Sequence, residues 1–575
     1  QDVLRLRHFR PMGAEQSCCQ GAGPSHVPEV VQAQNVQPVQ FSKTKCLAGA
    51  PWAPASENDD EQNLQTAQSL SERTPTVLIA ESNGSSSRQV PAVPAGSSFG
   101  IEKIEKMNHL EVDQDILRGI ALHRILREYE LWKSPEAVRQ GNRAEKVWAL
   151  SREVAAIDTF ISHSWRTKGR WKVLSLLMQS GWPHAFVGWF LGVAIALSLT
   201  ATEVLDPPLE ATINVAGTIQ TVPFGPWTLI FGCVMMLVGF LASPFLPYQD
   251  RLCFLDVACI HQGDTELLER GIYGIGGFLS VSRELRVLYS RPYLSSLWCV
   301  FELVAFYKAN PNGRVTFSPI WIERSVMFLS LVFWSLSLAA IFLAGYTSYD
   351  FRKHNFHVFL LIIFSAPYVL LVHFLRRSYR DKRELISDLS NFELGHASCA
   401  TEFDRAFILS AIEDWYGNQA AFREFVRGPL REKLLNMIPS PRIPWCYTVL
   451  LLTSPTSCLL EFSLGLQSSG ADGHTMLIFF LSWWPFCICW FWAGYNAIFY
   501  LSDKTARYGG NCFYDWMKTL VTCVGTLLWL SVGGGVVVAV ARSPSIIAGV
   551  CYTFASIIMM LWNLELLKIS CISCL

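Results

Sequence analysis

Glu302 is the residue of this chain whose type and surroundings most clearly suggest chemistry. It is the only charged residue in the apolar and aromatic run from 297 to 307, LWCVFELVAFY. A helix that is apolar on all sides is normally buried, and a carboxylate within it needs a partner, a shifted pKa or an opening to solvent. Glu302 is therefore a candidate catalytic residue. The alternative is a carboxylate that marks the solvent-facing edge of the helix.

The composition indicates a membrane protein. Charged residues make up 16% of the 575 positions and aromatic residues 13%, whereas soluble domains carry about 25% charge. Lys and Arg balance Asp and Glu at 47 each, so no basic excess indicates nucleic-acid binding. The 17 cysteines are an odd number spread over polar and apolar segments. This distribution is typical of a reducing compartment rather than of a disulfide framework.

Long runs without Asp, Glu, Lys or Arg predict an all-α region of about eight membrane-spanning helices. Each run can hold the roughly 20 apolar residues that a span needs. The runs lie at 183–202, 211–249, 325–349, 355–375, 443–460, 473–502, 519–541 and 543–564. The first two form an inserted hairpin, 183–250, ahead of two spans in 325–375 and four in 443–567. Because a hairpin returns the chain to the side it left, segments 157–182 and 251–321 can still pack into one domain.

The distribution of positive charge predicts the orientation of these helices. Segments on the side of the chain ends carry 22 Lys and Arg residues, and the opposite loops carry 3. We therefore expect the soluble parts, both termini and the 568–575 tail to be cytosolic. Apolar residues at helical spacing in 376–442 predict two or three amphipathic helices. These helices would pack on the first soluble domain or lie along the membrane.

The N-terminal region predicts a lipid anchor followed by disorder. If translation begins at Met12, the sequence MGAEQSCC matches the myristoylation pattern at Gly13, and Cys18 and Cys19 are candidates for palmitoylation. Two lipid chains are enough for stable anchoring. Residues 1–100 are rich in Pro, Ser, Gln, Gly and Ala and are predicted to be disordered. Residues 101–156 are predicted to form one or two amphipathic helices that lead into the next domain.

Three segments of the soluble part resemble a TIR domain, of the toll/interleukin-1 receptor and plant resistance type. In the best match, the strand at 287–290 is followed by Tyr293, Ser295-Ser296, Trp298-Cys299 and Glu302-Leu303. DTFIS at 158–162 is similar to the first strand of the family. FLD at 254–256 and LERGI at 268–272 are similar to its second strand and the loop after it. The resemblance implies an α/β flavodoxin-like domain with a parallel sheet.

A flavodoxin-like sheet binds ligands in the crevice beyond the carboxyl ends of its strands. By that rule, we expect the residues that follow the first two strands and those at the start of the Glu302 helix to lie around one cleft. The candidate binding residues are Ser162, His163, Trp165, Asp256, Ser295 and Trp298. Ser295, Trp298 and Cys299 precede Glu302 by seven, four and three residues, so they share its helix face. Core packing is the alternative for Trp298 and Cys299, and a capping or core role for His163.

The resemblance also implies a reaction. Some TIR domains cleave NAD⁺, and the Glu of their Trp-Cys-x-x-Glu pattern, here Glu302, is catalytic. Loss of nicotinamide leaves an oxocarbenium-like ribose that a nearby anion stabilises, as in glycoside hydrolysis. NAD⁺ would be the substrate, no cofactor would be bound, and self-association through TIR surfaces would trigger the reaction. Trp298 would be an aromatic wall and His163 a phosphate contact. No metal site is predicted, because Cys571 and Cys574 form a lone pair.

Two other functions stay open at the level of sequence. A non-catalytic adaptor would signal through TIR–TIR contacts at the membrane whose lipids hold it. A transporter or channel with a TIR-like regulatory domain fits about eight spans, although these contain almost no ionisable residues of the kind that line transport paths. Four features depart from the family pattern: the inserted hairpin, a longer loop at 259–264, the absence of a plant-type Arg-Gly-Glu-Asp run in 160–165, and a short end of the domain after Trp321.

Overall fold

A computed structural model describes residues 110–139, 142–246, 251–347, 356–399, 402–437, 443–506 and 511–565. The predicted lipidation residues Gly13, Cys18 and Cys19 lie outside the described residues, as do the region 1–100 and the tail 568–575. The described residues combine an α/β region, built on a six-stranded sheet, with a region of long helices.

The sheet is mixed, and its central strands are parallel. The strands are β1 (Arg118–Ala121), β2 (Arg152–Glu153), β3 (Ile157–His163), β4 (Leu209–Val215), β5 (Thr218–Phe224), β6 (Leu252–Phe254), β7 (Ser282–Tyr289) and β8 (Arg314–Pro319). The order across the sheet is β2-β1-β6-β3-β7-β8, while β4 and β5 form a separate hairpin. Strands β6, β3, β7 and β8 pair in parallel. Taken alone, these four have the order 2-1-3-4, as in flavodoxin-like sheets.

Nineteen helices are numbered here over the described residues. The α/β region contains α1 (Leu122–Arg127), α2 (Pro135–Arg139), α3 (Arg143–Trp148), α6 (Asp256–Cys259), α7 (Thr265–Tyr273), α8 (Ile275–Ser280) and α9 (Leu297–Ala309). The long helices are α4 (Gly169–Ala201), α5 (Trp227–Ala242), α10 (Ile320–Thr347), α11 (Phe356–Ser390), α15 (Trp445–Ser468), α16 (Gly473–Pro485), α17 (Phe491–Lys504), α18 (Cys512–Arg542) and α19 (Ile546–Glu565). Three shorter helices lie between α11 and α15: α12 (Glu402–Tyr416), α13 (Gln419–Phe425) and α14 (Arg431–Met437).

The described residues of the lead-in segment supply two strands in addition to the short helices α1, α2 and α3. Strand β1 pairs antiparallel with β6 on one side and with β2 on the other. Leu117 and Ile120 are buried in the core of the sheet. A strand of four residues is too short to show a clear alternation in sequence. It nevertheless supplies the backbone partners that the free edge of β6 requires.

Helix α4 passes from the α/β region into the helical region without interruption. The sequence predicted a span that starts at Pro183, where the charge-free run begins. The structure instead shows one helix of 33 residues with Pro183 inside it. The helix therefore continues across the predicted domain boundary at 182–183, because a change in composition need not coincide with the end of a helix.

The predicted second span, 211–249, is a β-hairpin followed by a shorter helix. Strands β4 and β5 meet at Ala216 and Gly217, whose φ angles are 54° and 79°. Two left-handed residues in succession suit the tight turns that match the twist of a hairpin. The strands are rich in Thr, Ile and Val, which favour extended structure. Helix α5 begins only at Trp227, so the first part of this uncharged run forms strands rather than helix.

Six helices among the described residues are long and apolar enough to cross a membrane. They are Gly169–Ala201, Trp227–Phe245, Ile320–Gly345, Trp445–Ser468, Gly473–Lys504 and Cys512–Arg542. A shorter apolar helix lies at Ile546–Trp562, within α19. The other predicted span, 355–375, falls within α11. The finding supports a multi-pass membrane protein.

The segment between α11 and α15 packs against the α/β region. Phe407 and Trp415 of α12 contact Phe301 of α9, with ring centroids 5.9 Å and 5.5 Å apart. Phe407 and Ile408 belong to the same buried core as β3 and β7. Helix α9 is therefore covered on its outer side by residues that lie about a hundred positions later in the chain.

Candidate active site

Helix α9 carries Glu302 to the carboxyl end of β3. Eight of its residues are buried, and Glu302 itself is half-buried. The helix follows β7 through a turn at 290–296, and the N–H of Leu297, its first residue, donates to the carbonyl of Ser398 at 3.0 Å. Apolar packing on several sides and this external partner at its first turn fix the helix. The position of Glu302 relative to the sheet is fixed with it.

Ser162 links Glu302 to the sheet. The Ser162 hydroxyl donates to Oε2 of Glu302 at 2.5 Å and lies 2.6 Å from the hydroxyl of Tyr293. The Tyr293 hydroxyl in turn donates to the carbonyl of Cys299 at 3.2 Å. Ser162 is fully buried and is the penultimate residue of β3. The network connects β3, the turn after β7 and the first turns of α9.

The surroundings of Glu302 favour its neutral form. Loss of solvent raises the pKa of its carboxyl from the ordinary 4.5 to about 8, the hydrogen bond from Ser162 works against this rise, and the charge of Asp256 adds to it. Within the described part of the chain, no cation is among the groups that shift this pKa. Burial also holds the pKa of the Tyr293 hydroxyl well above its ordinary value. Glu302 is thus a half-buried carboxyl that lacks a positive partner.

Trp165, Asp256 and His163 form a second cluster. The indole N–H of Trp165 donates to Oδ2 of Asp256 at 2.8 Å, and the N–H of Val257 donates to Oδ1 at 2.8 Å. His163 meets the Trp165 ring edge-on, with centroids 4.5 Å apart. Burial raises the pKa of Asp256 and holds that of His163 well below its ordinary value. The predicted residues after β3 and β6 therefore do meet.

Ser295 and Trp298 have other neighbours. Ser295 is exposed, and its hydroxyl donates to the carbonyl of Pro292 at 2.9 Å. The Trp298 ring contacts Phe301 and Phe407, with centroids 5.5 Å and 6.2 Å apart. Trp298 thus packs toward α12, which matches the core role that the sequence left open. Sequence spacing along α9 could not show that α12 would cover this face.

Two residues in or next to this crevice were not among the sequence candidates. Tyr293 was noted within the motif but given no role, although the resemblance contained the signal. Lys172 stands on the first turn of α4, and its Nζ lies 4.5 Å from the ring centre of Trp165. Lys172 follows Arg166, Lys168 and Arg170 in the sequence, so the isolation in an apolar run that singled out Glu302 could not have found it. The segment 268–272, compared with a loop of the TIR family, lies in helix α7.

Comparison with known proteins finds no matching protein-family model, no similar curated protein and no similar solved structure. Over the residues that the structure describes, no group of three or more His, Cys, Asp or Glu side chains is arranged to hold a metal ion. The chemistry of the crevice therefore has to be argued from its own residues.

Proposed function

We propose that this chain is a multi-pass membrane signalling protein whose TIR-like domain cleaves NAD⁺ through Glu302. The observation that carries the proposal is the Glu302 carboxyl itself. It is half-buried and hydrogen-bonded to Ser162, and it lies at the carboxyl end of a parallel sheet with the order 2-1-3-4. Ligands of flavodoxin-like sheets bind at that edge. The motif at 287–303 supports the TIR likeness.

A cationic ligand suits the electrostatics of Glu302. The pyridinium ring of NAD⁺ carries the positive charge that the carboxyl lacks, so its arrival would favour the ionised form of Glu302. The bond between the nicotinamide nitrogen and ribose C1′ then breaks, and its electron pair leaves with nicotinamide. The Glu302 carboxylate stabilises the ribosyl cation. Water adds to C1′ and releases its proton to solvent, or the adenine of the same molecule adds in a cyclisation.

The proposal also includes an arrangement of the chain in the membrane. Eight spans result if α11 and α19 cross the membrane together with the six helices that meet the length and hydropathy criteria. The bias of Lys and Arg supports placing the α/β region and both termini in the cytosol. NAD⁺ is available there, and TIR–TIR self-association would trigger turnover. Lipid chains on Gly13, Cys18 and Cys19 would add a further anchor.

Release of nicotinamide tests the catalytic role. Purified full-length protein, clustered on liposomes, is expected to release nicotinamide from NAD⁺. Glu302→Gln preserves the size of the side chain and an acceptor for Ser162 but removes the negative charge, so it should abolish release. Glu136→Gln changes an exposed carboxylate on α2 and should release nicotinamide at the wild-type rate. Equal rates in wild type and Glu302→Gln would contradict the proposal.

A non-catalytic adaptor is the second candidate, and one observation favours it. The chain at Ser398 lies against the start of α9, where its N–H donates to the carbonyl of Ser295 at 2.8 Å. Arg166 also donates to the hydroxyls of Ser295 and Ser398, at 3.4 Å and 3.0 Å. These contacts cover part of the crevice rim. An adaptor predicts no NAD⁺ turnover at any density and self-association that survives Glu302→Gln, measurable by crosslinking in liposomes.

A further inference from the structure

Lys172 is a buried ammonium group without a hydrogen-bond acceptor. Its side chain is 0% exposed, and its Nζ has no hydrogen-bond partner among the described residues. Its Nζ faces two aromatic rings, with ring centres 4.5 Å away in Trp165 and 5.6 Å away in Trp132. Burying an unpaired charge is costly, and contacts with aromatic faces offset only part of that cost. Stability alone would favour an apolar residue at this position.

A second unpaired nitrogen lies next to Lys172. Nε2 of His163 is buried and has no partner among the described residues. The His163 ring also packs edge-on against Trp132 and Trp165, with centroids 5.6 Å and 4.5 Å apart. The charge of Lys172 helps to lower the pKa of His163, which places the two groups close together. Two buried nitrogen atoms without hydrogen-bond partners among the described residues therefore share one aromatic cage.

This cage lies where β3 passes into α4. The helix begins at Gly169, and no side chain caps it, since the residue at its N-cap is Lys168. The first N–H groups of a long helix carry partial positive charge and bind phosphate groups in many α/β proteins. Asp256 acts on the charge of Lys172, but its two oxygens accept from Trp165 and Val257. Lys172 therefore has Asp256 as an electrostatic neighbour, but its Nζ has no hydrogen-bond acceptor among the described residues.

We propose that Lys172, His163 and the first N–H groups of α4 form a phosphate-binding subsite beside the Glu302 crevice. Trp165 covers the Lys172 ammonium, so its side chain must turn away when the ligand enters. Cys299 donates its thiol to the His163 carbonyl at 3.5 Å, and it precedes Glu302 by one turn of α9. A ligand could therefore hold phosphate at Lys172 and present a sugar to Glu302.

The choice of ligand rests on the proposed function. A dinucleotide would place its pyrophosphate at Lys172 and its nicotinamide ribose at Glu302. The phosphate of a lipid headgroup has the same chemistry, and α4 runs from this subsite into the apolar residues that begin at Pro183. ADP-ribose and phosphatidic acid are therefore suitable probes, because the first offers pyrophosphate without nicotinamide and the second offers a membrane phosphate.

Binding of ADP-ribose to the full-length protein in phosphatidylcholine nanodiscs tests the subsite by titration calorimetry. Lys172→Met should weaken binding about tenfold or more, since a hydrogen bond to a charged group is lost. Lys172→Arg keeps the charge and should retain part of the affinity. Arg170→Met removes an exposed cation two residues away and should bind as wild type does. The melting temperature of ligand-free Lys172→Met should equal or exceed that of wild type.

Two results would overturn the inference. One is that Lys172→Met binds ADP-ribose with wild-type affinity in phosphatidylcholine nanodiscs and also has the same melting temperature as wild type in nanodiscs that contain phosphatidic acid. The other is a lower melting temperature of the ligand-free variant, because Lys172 would then serve the fold. Stabilisation by phosphatidic acid alone, lost in Lys172→Met, supports the subsite and identifies a lipid phosphate. Glu302→Gln should still bind ADP-ribose, so this test can succeed where NAD⁺ cleavage fails.

Discussion

At the scale of single residues, the crevice brings together carboxyl groups that prefer to be neutral. Glu302 and Asp256 both have raised pKa values because they have lost solvent. Perturbed carboxyls in one cleft are frequent at functional sites, although structural clusters produce them too. The hydrogen-bond partner of Glu302 is the neutral Ser162 hydroxyl, which brings no positive charge.

The raised pKa of Glu302 predicts a pH-dependent stability. A carboxyl whose folded pKa is about 8, against 4.5 when unfolded, stabilises the fold fully below pH 4.5. That contribution is lost as the pH rises through 8, because the unfolded chain releases the proton more readily. Glu302→Gln cannot titrate, so its melting temperature relative to wild type should increase steadily from about pH 5 to pH 8. A constant difference over this range, measured in detergent micelles, would show that Glu302 is already ionised.

Another buried carboxylate, Glu461, has a structural explanation. Glu461 of α15 is 2% exposed and accepts from the N–H groups of Gly225 and Thr228, each at 3.1 Å. Those groups lie at the start of α5, so the carboxylate caps that helix and joins it to α15. This capping role explains why a charged residue lies among apolar helices, and no transport path is needed to explain it. The transporter hypothesis therefore gains nothing from Glu461.

At the scale of elements, the sequence predicted those whose pattern is local. The uncharged runs predicted the long helices, and the motif at 287–303 predicted β7 and α9 together with Glu302. Pairings between distant segments could not be found in this way. Strand β1 is defined by its partner β6, more than a hundred residues later, and Ser398 meets Leu297 across a similar distance. Trp298 faces α12 for the same reason, since helical spacing gives a face but not its neighbour.

The contact at Ser398 predicts a measurable effect on the start of α9. Ser398→Pro removes the N–H that donates to Ser295, and the preceding Ala397 already has the extended conformation (φ −71°, ψ 126°) that proline requires of its neighbour. Loss of this contact should loosen the pairing that protects the Leu297 N–H. Hydrogen exchange at Leu297 should speed up about tenfold or more. Ser398→Ala keeps the backbone N–H but removes the hydroxyl that also donates to Ser295 and accepts from Arg166, so it should speed exchange less than Ser398→Pro does. Equal exchange at Leu297 in the proline variant and wild type would contradict a stable contact.

At the scale of the whole molecule, the hairpin of α4 and α5 separates β3 from β6 in sequence. The two helices pack closely through glycines, and a Cβ at Gly188 would overlap the carbonyl oxygen of Met235. Overpacking of this kind costs about 1–3 kcal/mol. Because α4 continues into the α/β region, damage to the hairpin should also destabilise the sheet.

Gly188→Ala tests this coupling between the two regions. The melting temperature of the α/β region, followed by tryptophan fluorescence in nanodiscs, should fall by several degrees, since about 1 kcal/mol shifts melting by about 2–4 °C in larger domains. Gly535→Ala is the matched control, because a Cβ at Gly535 meets no atom within 4 Å and alanine favours a helix. An unchanged melting temperature in Gly188→Ala would show that the hairpin and the sheet unfold independently.

The position of the hairpin also determines the order of events during synthesis. Strand β3 leaves the ribosome long before its parallel neighbour β6, and α4, the hairpin β4–β5 and α5 are made in between. Strand β3 can therefore pair with β6 only after both helices have entered the bilayer and the chain has returned to the side of β3. A copy whose helices fail to insert keeps an unpaired strand edge exposed, which quality-control machinery can recognise. The complete crevice therefore forms only in copies whose helices α4 and α5 have inserted into the membrane.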